Sequence, residues 1–347
     1  MKIQKLVKIQ KLVPYKIYFL GTIFCFCISF LLSGCSAKQT PSVLSDTRFM
    51  LNTVVTISLY DSSDSSILNG AFDLCQHYED LLSRTKEGSE IYTFNHRKNN
   101  SPLTISDDTA ELIQKALSYC ELSNGTFDIT IAPISSLWDF QATTPSLPDN
   151  TEIKKQLKNI NYKDLQVKGN ILSSKNPYTQ IDLGAIAKGF IADKIKEYLI
   201  ANNVQSAVIN LGGNVLCVGE KPSKEPFHIG VQKPFETHQE TVHTLSIKDL
   251  SIVSSGIYER YFKVDGKLYH HILNPKTGYP YDTDLTSVTI LSKKSVDGDG
   301  LSTTCFSLGL EKGMELIESL DDVYALFITE DGTLHYTKGF QQFISES

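Results

Sequence analysis

Short apolar segments joined by tight Gly or Asx turns constrain this chain most. Residues 205–211 and 215–218 flank Gly212-Gly213, residues 262–272 double back at Asp265-Gly266, and residues 324–329 and 334–336 meet near Asp331-Gly332. A short glycine-containing turn joins antiparallel neighbours, whereas parallel neighbours need a long crossover. Further strands fall at residues 227–231, 241–247, 251–253 and 287–291, with few helical intervals between them. The pattern predicts an α+β fold of antiparallel or mixed sheets with packed helices, rather than a doubly wound sheet. No internal repeat interrupts it.

The first half is richer in helices. Residues 48–60 alternate as one strand, with Val55, Ile57 and Leu59 on a single face. Residues 65–82 carry Leu68, Phe72, Cys75 and Leu82 at helical spacing, and residues 107–122 form a second helix between Ser106 or Asp107 and the stop at Asn124-Gly125. Between them, residues 83–101 are polar and irregular, a surface loop with a short helical piece. A short helix at 152–157 and a hairpin at 165–172, turning at Lys168-Gly169-Asn170, follow. Residues 178–181 read as a strand end that runs into Asp182-Leu183-Gly184-Ala185-Ile186-Ala187-Lys188-Gly189, and a helix follows. Asp182 then sits at a strand-to-helix junction, either as a plain cap or beside backbone N–H groups free to hold an anion.

The N-terminus stands apart from the fold. Lys2, Lys5, Lys8, Lys11 and Lys16 precede an apolar run at 17–32 that ends in Leu32-Ser33-Gly34-Cys35. This resembles the lipobox of bacterial lipoproteins, which implies cleavage before Cys35, lipidation of its thiol and an extracytoplasmic protein tethered to a membrane. An uncleaved anchor is the alternative, although the run is short for a span. The expected organisation is a signal peptide at 1–35, a flexible tether at 36–46 and one catalytic domain at 47–347. The net charge of -6, with no long basic block, argues against nucleic acid as a partner. Cys75, Cys120, Cys217 and Cys305 are scattered through apolar patterns without metal-ligand spacing; buried free thiols are expected, with one disulfide left open.

Several stretches carry residue types suited to chemistry. Asn124-Gly125-Thr126-Phe127-Asp128 places a ring and a carboxylate after a glycine turn, either at a cleft mouth or on the way into a buried strand. His270 and His271 are adjacent on a strand and point to opposite faces, which makes them a poor metal pair. Asp299 and Thr303 share one helix face, where a carboxylate and a hydroxyl offer oxygens to a hard cation, unless this is simply a solvated helix start.

Taken with Asn210-Leu211-Gly212-Gly213-Asn214, Ser255-Gly256-Ile257-Tyr258-Glu259-Arg260 and His271-Ile272-Leu273-Asn274-Pro275-Lys276-Thr277-Gly278, these motifs resemble the ApbE family in order and spacing. The resemblance spans essentially the whole chain after the leader. It implies a flavin cleft between two lobes of one domain and an FAD:protein FMN transferase. Such an enzyme splits FAD at its pyrophosphate, joins FMN to a Thr or Ser hydroxyl of an acceptor and releases AMP. It further implies Mg2+ at Ala185, Asp299, Ser302 and Thr303, and FAD contacts from Leu51, Thr126, Phe127, Asp128, Asp182, Lys188 and Ile272. His271 is implied as the base and Asp299 as the second catalytic residue. The implied acceptors are flavoprotein subunits of membrane electron-transfer systems. An FAD pyrophosphatase and a non-enzymatic flavin-binding lipoprotein are the alternatives. Three departures from the family pattern stand out: Gly300 in the Asp299–Thr303 motif, Leu51-Asn52-Thr53 for Met-Gly-Thr, and Ser83-Arg84-Thr85 for Ser-Thr-Tyr.

Overall fold

Period-two alternation of apolar residues supplies the main frame. A computed structural model describes residues 42–237 and 240–345. Eight strands form one sheet in the order β1-β2-β6-β7-β10-β13-β14-β15. They are Leu44–Met50 (β1), Thr53–Leu59 (β2), Ser206–Leu211 (β6), Asn214–Gly219 (β7), Ser251–Gly256 (β10), Leu285–Ser292 (β13), Tyr324–Thr329 (β14) and Leu334–Tyr336 (β15). Every neighbouring pair is antiparallel. Successive residues serve opposite faces: Leu216, Ile290 and Phe327 join the larger core, while Val215, Leu291 and Leu326 join a second one. Both faces are covered, so the central strands are apolar throughout; all of β13 is buried.

Helices close the larger face. They are Ser65–Leu82 (α1), Glu90–Asn95 (α2), Asp107–Leu122 (α3), Ala132–Ser135 (α4), Asn150–Gln156 (α5), Ala187–Ala201 (α6), Ser295–Leu308 (α7) and Leu310–Glu318 (α8). The second face is covered by the hairpin Phe227–Gln232 (β8) and Thr241–Ile247 (β9), whose Phe227, Val231, Leu245 and Ile247 belong to that core. A third cluster gathers Ile134, Trp138, Ile153, Phe262 and Leu273, with the Trp138 indole N–H donating to the Gly278 carbonyl at 2.9 Å. Strands Leu103–Thr104 (β3), Leu165–Lys168 (β4) and Ile171–Ser174 (β5) make a small sheet; Tyr261–Val264 (β11) and Lys267–His270 (β12) make a hairpin. Cys75, Cys120, Cys217 and Cys305 are buried free thiols.

Several expectations are corrected. Residues 48–60 are not one strand. Leu51 and Asn52 both have φ 55°, and this left-handed pair turns β1 back onto β2. Strand β1 starts at Leu44, inside the expected tether. The remaining tether through residue 41, the leader and Cys35 lie outside the described residues. Residues 178–181 form no strand, only a single parallel bridge between Gln180 and Ile131. Asp182 caps no helix, because α6 begins at Ala187 without a side-chain cap.

The double glycine at 212–213 has a structural cause. Both residues take positive φ, 64° and 92°, in the turn from β6 to β7, and a Cβ on Gly212 would press into Thr53. Gly189 is tighter still. A Cβ there would overlap the Ser295 carbonyl and fall 2.7 Å from the Val296 Cα, so α6 crosses α7 backbone to backbone. Gly189→Ala is therefore expected to destabilise the protein by about 1–3 kcal/mol or more, since neither helix can yield without moving the other. Urea unfolding checks this; an unchanged midpoint would show that the crossing is loose.

Candidate active site

The α6–α7 crossing sets the centre of the site. Asp299 lies on α7, is buried, and accepts the Gly189 N–H on Oδ2 at 2.9 Å. In a regular helix that N–H would bond back to the Ala185 carbonyl. Diverted to Asp299, it leaves the Ala185 carbonyl with no hydrogen-bond donor among the described residues. Ser255, near the end of β10, brings its hydroxyl to Ser302 at 2.8 Å and Thr303 at 3.1 Å. Ser302 also donates to the Asp299 carbonyl at 3.0 Å, so its oxygen is engaged within the protein. Thr303 is half-buried.

Burial pushes the Asp299 carboxyl up from its ordinary value, against the pull of Lys188 and the Gly189 N–H. A carboxylate so placed gains from a cation, and the oxygens around it are a hard donor set. The residues present thus fit a divalent ion such as Mg2+, held by Asp299, Thr303 and the Ala185 carbonyl. No cluster of three or more His, Cys, Asp or Glu side chains occurs among the described residues.

The hairpin β11–β12 delivers the two histidines: His270 ends β12, and His271 follows just beyond the strand. His270 is buried; its Nε2 donates to the Tyr281 carbonyl at 2.9 Å and its Nδ1 accepts the Ile272 N–H at 3.3 Å. Those partners fix a neutral tautomer, and burial pushes its pKa down to about 4. His271 is anchored by its backbone N–H to the Arg260 carbonyl at 3.1 Å. Its Nδ1 is fully covered and makes no hydrogen bond of good geometry among the described residues. Burial first, then the positive charges of His270, Arg260 and Lys188, push its pKa down to about 3. His271 is therefore neutral near pH 7. Lys188 forms no ion pair among the described residues.

The other expected contacts are placed by local bonding. Thr126 shares a 2.7 Å hydrogen bond with Ser307 on α7, and its carbonyl accepts the Tyr281 hydroxyl at 2.7 Å. Phe127 is buried edge-on to Tyr119, and Ile272 is buried in the larger core. Asp128 accepts from the Thr130 N–H and hydroxyl at 2.8 and 2.7 Å and from the Tyr162 N–H at 3.1 Å; burial raises its pKa. It lines a cavity of about 350 Å³ with Asn124, Tyr162 and Lys276, so two of the sequence motifs share one hollow. A larger cavity, about 580 Å³, lies among Tyr92, His96 and Arg97 and touches none of the expected site residues. Leu51, in its left-handed turn, donates its N–H to Glu79 at 3.2 Å.

Asp182 is occupied within the protein. Its Oδ2 pairs with Arg84 Nε at 3.1 Å and accepts the Ser135 hydroxyl at 2.8 Å, while Oδ1 accepts the Gly184 N–H at 2.9 Å. Arg84, one of the departures from the family pattern, also donates to Ser136 at 2.8 Å. The sequence reading gave no role to Asp193 or Ser255. Asp193, on α6, accepts the N–H groups of Ser295 and Val296 at 2.8 and 2.9 Å, capping α7, whose own N-cap Lys294 provides no side-chain bond. That missing cap was the one available signal.

A model of the ApbE family matches residues 51–327 of the chain. A Klebsiella pneumoniae (strain 342) protein named FAD:protein FMN transferase is 37% identical over 291 residues, covering 83% of this chain and 90% of its own length. The Treponema pallidum (strain Nichols) protein of the same name is 31% identical over 333 residues, covering 90% and 92%. The crystal structure of the ApbE protein from Thermotoga maritima matches with a TM-score of 0.80 at 29% identity, over 88% of this chain and 100% of its own.

The buried histidines set an acid limit on stability. With pKa values lowered from 6.5 to about 4 and about 3, they bind fewer protons in the folded state than in the unfolded one. Their contribution is present above pH 6.5 and is lost as pH falls through the folded values. Asp193, raised by burial from 3.8 to about 6, opposes this: its contribution is full below 3.8 and gone above about 6. Asp128 and Asp299, also raised by burial, act in the same sense as Asp193, so the histidine part is read by difference against a variant and not from the total slope of stability with pH. In His270→Gln that slope should ease by about 1.4 kcal/mol per pH unit, one proton's worth. Urea titrations at each pH measure it, and NMR showing His270 protonating near 6.5 would contradict it.

Proposed function

The chain belongs to the ApbE family, and from that membership we propose how its site works. It is an FAD:protein FMN transferase. In this reading the hydroxyl oxygen of an acceptor Thr or Ser attacks the FMN-side phosphorus of FAD. A phosphorus–oxygen bond forms to the acceptor, the bond to the AMP side breaks, and AMP leaves. The hydroxyl proton goes to the imidazole of His271, which is neutral before the reaction and whose covered Nδ1 leaves Nε2 as the nitrogen that takes it. A positioned base of this kind contributes roughly 10²–10⁴ in rate.

Transfer of a phosphoryl group depends on positioning and charge neutralisation more than on covalent chemistry. Lys188, the unpaired cation beside Asp299 and His271, holds phosphate charge. Asp299, Thr303 and the Ala185 carbonyl hold Mg2+, which when bound would supply charge neutralisation at the pyrophosphate. Asp182, fixed by Arg84 and Ser135, keeps the segment leading to Ala185 and Lys188 in place. The observation that carries the reading is the union, at one helix crossing, of a buried carboxylate, hydroxyl oxygens and a carbonyl with no donor.

The proposal extends to setting and partners. Lipidation at Cys35 would tether the chain on the extracytoplasmic side of a bacterial membrane, where flavoprotein subunits of electron-transfer systems are the acceptors. Labelling cells with a radioactive fatty acid tests the anchor: label is expected on the wild type and absent from Cys35→Ala, and an unlabelled wild type would remove it.

For the reaction, the full chain is incubated with FAD, Mg2+ and an acceptor flavoprotein domain. Flavin fluorescence that stays with the acceptor after denaturation is expected, and EDTA should abolish it. Asp299→Ala should lose labelling while still binding FAD, and His271→Ala should slow it by roughly 10²–10⁴. AMP release without labelling of any acceptor would make the protein a pyrophosphatase instead. Full labelling by Asp299→Ala would show the cation to be elsewhere.

A further inference from the structure

Asn214 opens β7 directly after the Gly212-Gly213 turn and is 1% exposed. Its Oδ1 accepts the Ser295 hydroxyl at 2.7 Å, and Ser295 is bonded in turn to Ser251 at 2.9 Å. This buried chain of hydroxyls fixes which side of the carboxamide is oxygen. The opposite side, Nδ2, is buried and completes no hydrogen bond of good geometry among the described residues, although it lies near enough to Asp299 to favour that group's charged form. Orphaned buried donors are rare and call for a cause.

The anion next to Asn214 is Asp299, and the Asn214 side chain is among the groups that favour its charged form. Oδ2 of that carboxylate is held by the Gly189 N–H at 2.9 Å. The backbone that holds it belongs to α6 alone, and a donor arriving from another element restricts how the carboxylate plane can turn. Asn214 is such a donor. It comes from the sheet, whereas Gly189 comes from α6. An aspartate at this position would set a second negative charge against Asp299, and an alanine would leave the carboxylate with its backbone partner alone.

We propose that Asn214 is a positioning residue for Asp299, its Nδ2 closing on the carboxylate when a divalent cation is held there. The inference rests on the reading of Asp299 as a cation ligand given above. Residues that orient a metal-ligating carboxylate typically change metal affinity by roughly 10–100-fold when removed.

The test titrates Mn2+ into the full chain with FAD bound and no acceptor present, following free Mn2+ by electron paramagnetic resonance against FAD alone. Asn214→Ala is expected to raise the Mn2+ dissociation constant by roughly 10–100-fold, with FAD affinity in the absence of metal unchanged. Ser295→Ala keeps Asn214 but unpins its oxygen, and should weaken Mn2+ binding to a smaller degree; it decides the matter if Asn214→Ala does not fold. Equal Mn2+ affinity in wild type and both variants overturns the role of Asn214 alone. A wild type that binds no more Mn2+ than FAD by itself overturns the cation site, and the positioning role with it.

Discussion

The crossing of α6 over α7 at Gly189 is the constraint on which the site depends. Because Gly189 lacks a side chain, the two backbones meet, and two carboxylates are exchanged across the contact. Asp299 of α7 takes the Gly189 N–H of α6, and Asp193 of α6 takes the Ser295 and Val296 N–H groups of α7. Each helix terminates the other's unsatisfied donors. The Asp299 carboxylate is thus held by a backbone donor, and the same diversion of the Gly189 N–H leaves the Ala185 carbonyl without a donor among the described residues.

The sheet explains why this clasp stays rigid. Strands β7, β10 and β13 are buried on both faces, and α7 lies against them with most of its own surface covered. Polar side chains within that packing are serines and threonines that satisfy one another: Ser251 with Ser295, Ser254 with Thr289, Ser255 with Ser302 and Thr303. Small hydroxyls allow close packing and still furnish oxygens. Gly300 fits the same logic, since a Cβ there would meet the Tyr119 ring at 2.5 Å. The departure from alanine in this motif is thereby matched by an aromatic side chain from α3.

Regular elements were legible in the sequence wherever local signals agreed. Helices at Ser65–Leu82 and Asp107–Leu122 and the strands Tyr324–Thr329 and Leu334–Tyr336 fall where periodicity and turn residues place them. The misread elements are those decided by tertiary contacts. A leucine at φ 55° carries no turn signal, so the β1–β2 hairpin reads as one strand. Residues 178–181 look like a strand but find only one bridge, because Arg97 and Asn95 occupy the neighbouring carbonyls and N–H groups instead. Asp182 precedes a helix yet spends its oxygens on Arg84, Ser135 and its own turn. Asp193 caps a helix about a hundred positions away, and no local pattern encodes a cap of that kind. The motifs themselves were legible because several lie in order; the bonds that make them a site were not.

Burial acts on both kinds of titratable group at the centre in one direction, toward neutrality. It raises Asp299 and lowers His271. Lys188 opposes the first shift and adds to the second, favouring the Asp299 anion and disfavouring the His271 cation. The two effects are consistent: positive charge beside Asp299 favours its carboxylate form and disfavours the imidazolium of His271. An acid that must be an anion and a base that must be neutral therefore need no opposing environments here. Positive charge from one side chain, Lys188, biases both against the opposite pull of burial on the carboxyl.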